Sequence, residues 1–228
     1  MSLILLIETG TPACSVALAQ DGVVFAVKHL LEKRMQSKLL VPLIDQLLVE
    51  QQVRLYQCNA VAVSAGPGSY TGLRVGLSTA KGICFGSNLP LIAVNTLLVM
   101  AQNCIDLFHT SPSLPCNALI IPLMDARRME VYCARYSIDG ECISPTEAKI
   151  IDTNSFREEL EQSPVFFTGD GVDKCRESLS HPNAHFVPLS PSAEGMRKIA
   201  HQAYEEKKFE NLAYFEPFYF KEFMVHKK

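Results

Sequence analysis

Three sets of residues have the types and spacing to do chemistry: a glycine-rich run, two carboxylates that close apolar runs, and a pair of histidines. The run SAGPGSYTGLRVGLSTAKG, Ser64 to Gly82, directly follows the apolar residues Ala60 to Val63 and invites comparison with phosphate cradles. A P-loop requires G-x-x-x-x-G-K-[ST], so that backbone amides and a lysine surround the phosphates. Here Lys81 precedes Gly82 and no Ser or Thr follows, which excludes it. A dinucleotide fingerprint requires G-x-G-x-x-G and an acid about 20 residues on for the ribose. Gly66, Gly68 and Gly72 are spaced G-x-G-x-x-x-G, and no Asp or Glu lies between Glu50 and Asp106. Nor does Ser69 sit in a G-x-S-x-G nucleophile elbow. Ser69 and Thr71 instead read as helix N-cap residues. A second reading stays open: an anion or nucleotide contact at that helix start, with Gly66, Gly68, Ser69, Thr71, Arg74 and Asp125 as its residues.

Glu8 and Asp125 each close an apolar run. They read either as a facing acid pair in a cleft or as loop-capping carboxylates at strand ends. In HPNAH, Pro182 makes His181 and His185 a turn pair, without a carboxylate at ligand spacing, so they read as surface histidines. No metal ligand set and no catalytic constellation is assigned.

The elements that must position these residues follow a pattern that occurs twice. Residues 3–7, 14–19 and 23–31 read as strands of a meander turning at Asp21-Gly22, followed by an amphipathic helix over 36–51. A strand over 60–65, a helix over 71–85, a strand over 91–94 and a helix over 96–108 complete the half. The second half restarts with strands at 118–124, 130–137 and 142–151 around Asp139-Gly140, then a helix near 154–161. A strand at 165–168, a helix near 172–179, a strand at 186–187 and a helix over 192–207 follow. The landmarks correspond: an acid closing the first strand, a DG turn 13 or 14 residues on, then helix, strand and glycine (Gly66, Gly169). The reading is two duplicated β-β-β-α-β-α lobes with mixed sheets, residues 1–108 and 109–228, with a cleft between them.

Composition bounds the partners. The chain has 228 residues, 48% of them hydrophobic, enough for a sizeable core, and a net charge of -3 that gives no broad basic field for nucleic acid. Eight cysteines without a CxxC pair read as free thiols in a reducing cytosol. Leu3 to Ile7 is too short for the hydrophobic region of a signal peptide. The uncharged window Gly82 to Ile105 is broken by Asn88, Pro90, Asn95, Gln102 and Asn103, so no membrane span is expected and a cytoplasmic protein is.

The 71–85 helix carries a face of small residues, Gly72, Gly76 and Ala80, beside an apolar face of Leu73, Leu77, Ala80 and Cys84. That is more than one sheet can cover. Glycine inside a helix costs about 1 kcal/mol against alanine, so close approach of another element must compensate. The tail YFEPFYFKEFMVHKK places six aromatics between Tyr214 and Phe223, to dock across the domain or to meet a partner.

The glycine run, together with LILLIETGTPACSVAL, LIAVNTLLVMAQ, MDARRMEVYCARY and FEPFY, resembles the TsaB (formerly YeaZ) family over nearly the whole chain. The resemblance implies the ASKHA fold of actin and sugar kinases. It also implies a noncatalytic subunit in threonylcarbamoylation of the adenosine beside the anticodon in tRNAs reading codons that begin with A. In that family TsaD carries the metal and active site, the TsaE ATPase joins the complex, and tRNA is met only indirectly. TsaB pairs with TsaD through its first helices, so Leu40, Leu43, Leu47, Gly72, Leu73, Gly76, Leu77, Ala80 and Lys81 are the candidate partner residues. Periodicity does not decide which of them face the partner and which the core. A homodimer through the same surface is expected when TsaD is absent. No cofactor is expected to be firmly bound, with an adenine nucleotide at the cleft or the partner interface as the open option. Three departures from the family pattern stand out: Glu8 where Asp is usual, Met35 where His is frequent, and Met129 in place of a smaller residue. The alternative reading is an ATPase or small-molecule kinase acting alone through Glu8 and Asp125. A metalloprotease reading, an old label of this superfamily, lacks evident ligands.

Overall fold

The computed structural model describes residues 1–30, 35–109 and 115–220. Leu31, at the end of the third expected strand, and the tail aromatic Phe223 lie outside them.

Strands β1 (Leu3–Glu8), β2 (Cys14–Gln20) and β3 (Val23–Leu30) form the expected antiparallel meander. Asp21 and Gly22 both have positive φ, as a two-residue hairpin turn demands. Helix α1 (Gln36–Glu50) leads to β4 (Ala60–Gly66), α2 (Tyr70–Ser87), β5 (Leu91–Asn95) and α3 (Thr96–His109). The sheet order is β3-β2-β1-β4-β5, with β4 parallel to β1 and β5 parallel to β4.

The second half repeats this topology with β6 (Leu119–Asp125), β7 (Glu130–Ser137), β8 (Cys142–Ile150), α4 (Arg157–Gln162), β9 (Val165–Thr168), α5 (Val172–Cys175), β10 (Ala184–Val187) and α6 (Arg197–Glu205). Its order is β8-β7-β6-β9-β10, with the same parallel and antiparallel pairings. The repeating unit is therefore one strand and one helix longer than β-β-β-α-β-α: β5 with α3, and β10 with α6, belong to it. Helix α4 starts later than residue 154 because the Ser155 hydroxyl donates to Asp152 Oδ1 (2.8 Å) in a turn and Phe156 takes a left-handed φ of 59°. Residues 193–196 form a 3₁₀ turn ahead of α6.

Both faces of the central strands are buried, which is why β1 and β4 are continuous apolar runs rather than alternating ones. On one face of the first sheet Leu5, Ile7, Val16, Leu18, Val61 and Val63 meet α1 and α2. On the other, Ala17, Ala19, Ala60 and Ala62 leave room for close packing. That room is filled by Ala193, Met196 and Ala200 from the end of the chain, together with Val99 of α3. Leu97, Met100, Ala101, Cys104 and Ile105 of α3 pack on Ile120, Met124, Ala134 and Phe166 of the second sheet. Helix α6 thus closes the sheet of the other half, and α3 packs between the two sheets. An Arg197–Asp106 ion pair ties α6 to α3, and Gly195 lets the 3₁₀ turn lie against the Val99 carbonyl.

Candidate functional site

The glycine run begins where β4 ends. Gly66 has a φ of 114°, the Gly66–Pro67 peptide is cis, and Ser69 caps α2, its Oγ accepting from the Gly72 amide at 3.3 Å. A methyl group on Gly68 would overlap the Gly10 carbonyl, one on Gly72 the Thr9 carbonyl, and one on Gly76 the Thr9 hydroxyl. Gly68, Gly72 and Gly76 therefore hold this chain's own β1–β2 turn against α2, and the Ser69 amide donates to Gly10 O at 2.6 Å. The close backbone approach foreseen from glycine spacing exists, but inside the molecule.

The same correction applies to most of the residues put forward for a partner. Leu40, Leu47, Leu77 and Ala80 belong to the core between α1, α2 and the first sheet, and Leu73, Gly72 and Gly76 are buried as well. Leu43 and Lys81 are half-buried. An apolar helix face fills its own sheet first, because that burial accompanies folding whether or not a partner is present. Between the two helices an apolar groove of about 340 Å³ is open to the outside: Ile44 and Leu48 of the core line it, with Val41, Asp45 and Leu55 on one side and Ser78, Thr79, Gly82 and Ile83 of α2 on the other. Phe85 (84% exposed), Val41 and Val49 stand out to solvent on the same two helices. The signal for this set was present in the sequence as Gly82 and Phe85 on one stripe with Ser78, but it reads there as a weak polar face.

At the strand ends between the halves, Glu8 and Asp125 do not form an open acid pair. Glu8 has no solvent exposure, and its Oε1 accepts from the Gly10 amide at 2.6 Å while Oε2 has no partner among the described residues. Burial raises its pKa to about 7, against the opposing hydrogen bonds from Gly10, Ser64 and Thr9. Asp125 is exposed and is held by three groups of its own half. The Lys174 ammonium donates to Asp125 Oδ1 and to the Glu130 carbonyl (2.6 Å), the Arg127 amide donates to the same carboxylate (2.9 Å), and the Asp125 amide donates to Asp170 Oδ1 (3.1 Å). Burial and then the neighbouring Asp125 charge push Asp170 up. Sequence reading missed Lys174 and Asp170, since nothing in their spacing relates them to Asp125 49 and 45 residues away.

Of the residues considered for an anion, Thr71 is exposed at the helix start and Arg74 is engaged: its Nε donates to the Tyr219 hydroxyl (3.0 Å) and its guanidinium lies 4.1 Å from the Tyr70 ring centre. Above Gly66 the chain's own Phe218 carbonyl stands 2.6 Å from where a Cβ would be. These groups line one region, but the tail already lies over part of it. Among the described residues no three His, Cys, Asp or Glu side chains are placed to hold a metal ion. His185 stacks on Phe166 and His181 Nδ1 accepts from the Asn183 amide. No helix among the described residues is long and apolar enough to cross a membrane.

Over residues 30–223 the chain matches the family model described as TsaD: tRNA N6-adenosine threonylcarbamoyltransferase. It is 33% identical over 234 residues to the tRNA threonylcarbamoyladenosine biosynthesis protein TsaB of Escherichia coli (strain K12), covering 99% of this chain and 97% of that one. The protein of the same name in Bacillus subtilis (strain 168) is 31% identical over 180 residues, 77% of this chain and 74% of that one. A crystal structure of an uncharacterized Pseudomonas aeruginosa protein with similarity to the peptidase YEAZ superposes with a TM-score of 0.84 at 26% identity, covering 97% and 100% of the two chains. The activator of the 2-hydroxyisocaproyl-CoA dehydratase from Clostridium difficile, with bound ADPNP, superposes at 0.51 and 10% identity, over 90% of this chain and 96% of that one. That last likeness speaks for the fold alone, and the duplicated architecture is ASKHA.

Proposed function

The chain belongs to the TsaB family, and on that premise we propose that it is the noncatalytic partner of the TsaD transferase. The reaction it serves is threonylcarbamoylation of the adenosine beside the anticodon in tRNAs reading codons that begin with A. The observation that carries the proposal is the apolar groove between α1 and α2, flanked by the exposed Val41, Val49 and Phe85. Two adjoining helix surfaces of this kind suit a pair of helices from another subunit, which would bury them in a bundle. The state of the two strand-end acids and of the glycine loop supports a noncatalytic role: Asp125 is neutralised by Lys174, Glu8 is enclosed, and the tail backbone lies on Gly66. In this reading the TsaE ATPase joins through the complex, tRNA is reached through TsaD, and no cofactor is firmly held by this chain. When TsaD is absent, two copies pair through the same face, and the protein works in the cytoplasm.

The test replaces Phe85 and Val41 together by Asp. Both side chains are mostly in solvent, so the melting temperature stays near that of the parent while pairing with TsaD, read by light scattering, is lost and reconstituted tRNA modification falls with it. Leu77→Asp is the contrast: it places a carboxylate in the core and unfolds the chain. A transferase reaction that ran equally well without this chain, or a Val41/Phe85 variant that still paired, would sink the proposal.

A further inference from the structure

After α6 the chain does not leave the molecule but returns along the first half and crosses to the second. Glu210 bridges Leu91 at the edge of the first sheet, and Phe215 packs against the core beneath α1 and α2. The Phe218 amide then donates to the Ala65 carbonyl at 2.7 Å, at the end of β4, and its own carbonyl lies on Gly66. Glycine is required at 66 twice over: for its φ of 114°, and because a side chain would strike this tail carbonyl. One residue on, the Tyr219 ring lies 5.1 Å from that of Tyr70 and its hydroxyl accepts from Arg74, both in the first turns of α2. The next residue, Phe220, meets Tyr132 of β7, in the second half, with ring centres 5.8 Å apart. The main packing partners of α2 are β1, β4, β5 and α1, all in the first half.

We propose that residues 215–220 are a strap that latches the glycine loop and the start of α2 to the second half, with Tyr219 as the anchor on the first half and Phe220 as the anchor on the second. The arrangement has the parts a strap needs. A main-chain hydrogen bond fixes its register, and adjacent aromatic residues engage opposite halves. The glycine beneath it leaves no space for sliding. The strap's consequence is that the outward face of α2 is presented at a set angle to the second half, although α2 itself packs on the first. Tyr219 and Phe220 are 39% and 43% exposed, so replacing them removes contacts without hollowing a core.

Hydrogen exchange on the full-length chain tests this. In Tyr219→Ala/Phe220→Ala, loss of the ring pair, the guanidinium contact and the Tyr132 contact speeds amide exchange over residues 65–73 about tenfold, while α1 and the β1–β2 pair exchange as in the parent. Phe220→Ala alone speeds exchange at 130–134 and leaves Tyr219 in place. Unchanged exchange over 65–73 in the double variant overturns the strap. A second measurement reads the docking directly: the chain has no tryptophan, so Phe220→Trp supplies a single tryptophan, excited apart from the seven tyrosines, with circular dichroism confirming that each variant stays folded. Its emission is that of a partly shielded ring and shifts to that of an exposed one when Tyr132→Ala is added. Emission that does not respond to Tyr132→Ala refutes the docking of the tail on the second half.

Discussion

Glu8 offers the sharpest test of how the first strand is held. It is fully buried at the end of β1, with one carboxylate oxygen hydrogen-bonded to Gly10 and the other without a partner among the described residues, and burial lifts its pKa from an ordinary 4.5 to about 7. The native state therefore holds this proton over a range where the unfolded chain has released it, so the contribution of Glu8 to stability is fully present below pH 4.5 and is lost as the pH rises through 7. At 1.36 kcal/mol for each pKa unit, the loss from this group is roughly 3 kcal/mol. Glu8→Gln cannot ionise and is free of that loss. It leaves an amide N–H₂ without a partner, at a cost of about 1–3 kcal/mol that does not vary with pH. The diagnostic is therefore the difference in unfolding free energy, variant minus parent, from urea titrations followed by circular dichroism between pH 4.5 and about 8. Groups that titrate alike in both chains cancel. The difference rises by ~3 kcal/mol in favour of the variant across that window. A difference that is flat with pH would show that Glu8 is ionised in the native state, and would refute the account of its burial.

Two further outcomes follow from packing. Gly72→Ala lowers the melting temperature even though alanine is the better helix former by about 1 kcal/mol, because its methyl overlaps the Thr9 carbonyl, and overpacking of this sort costs ~1–3 kcal/mol. Gly82→Ala, with no atom within 4 Å of the new methyl, raises stability by up to about 1 kcal/mol in the same thermal scan. Asp106→Asn weakens the link between α3 and α6, since the carboxylate pairs with Arg197 and accepts from Gln102 at 2.9 Å; urea unfolding reads a loss of about 1–3 kcal/mol. That loss comes in one transition, because the halves share their cores. Separate unfolding of the two halves would contradict the packing of α3 on both sheets and of α6 on the first.

Much of the fold was legible because its signals are local. The strand at 165–168 and the meander turns at Asp21-Gly22 and Asp139-Gly140 depend on residues next to one another, and so does the Ser69 cap on α2. Where local signals misled, a turn competed with a helix, as Asp152 and Ser155 do at the start of α4. The candidate site was legible only in outline. The helices that carry the groove are legible, but periodicity leaves residues such as Leu40 and Leu77 open between partner and core, and the structure places them in the core on the first sheet.

The order of strands and helices, the duplication and the apolar faces are thus written in residue types and spacing, because period and turn chemistry act over a few residues. Which surface each face meets is not written there. Periodicity records that α2 has an apolar side, but not that Gly72 and Gly76 rest on Thr9 while Phe85 looks outward. Nor does it record that α6 closes the first sheet while α3 packs between both, that Lys174 neutralises Asp125, or that Phe218 returns to Ala65. Those pairings join residues from about 50 to more than 150 positions apart, and only the simultaneous filling of both cores selects them.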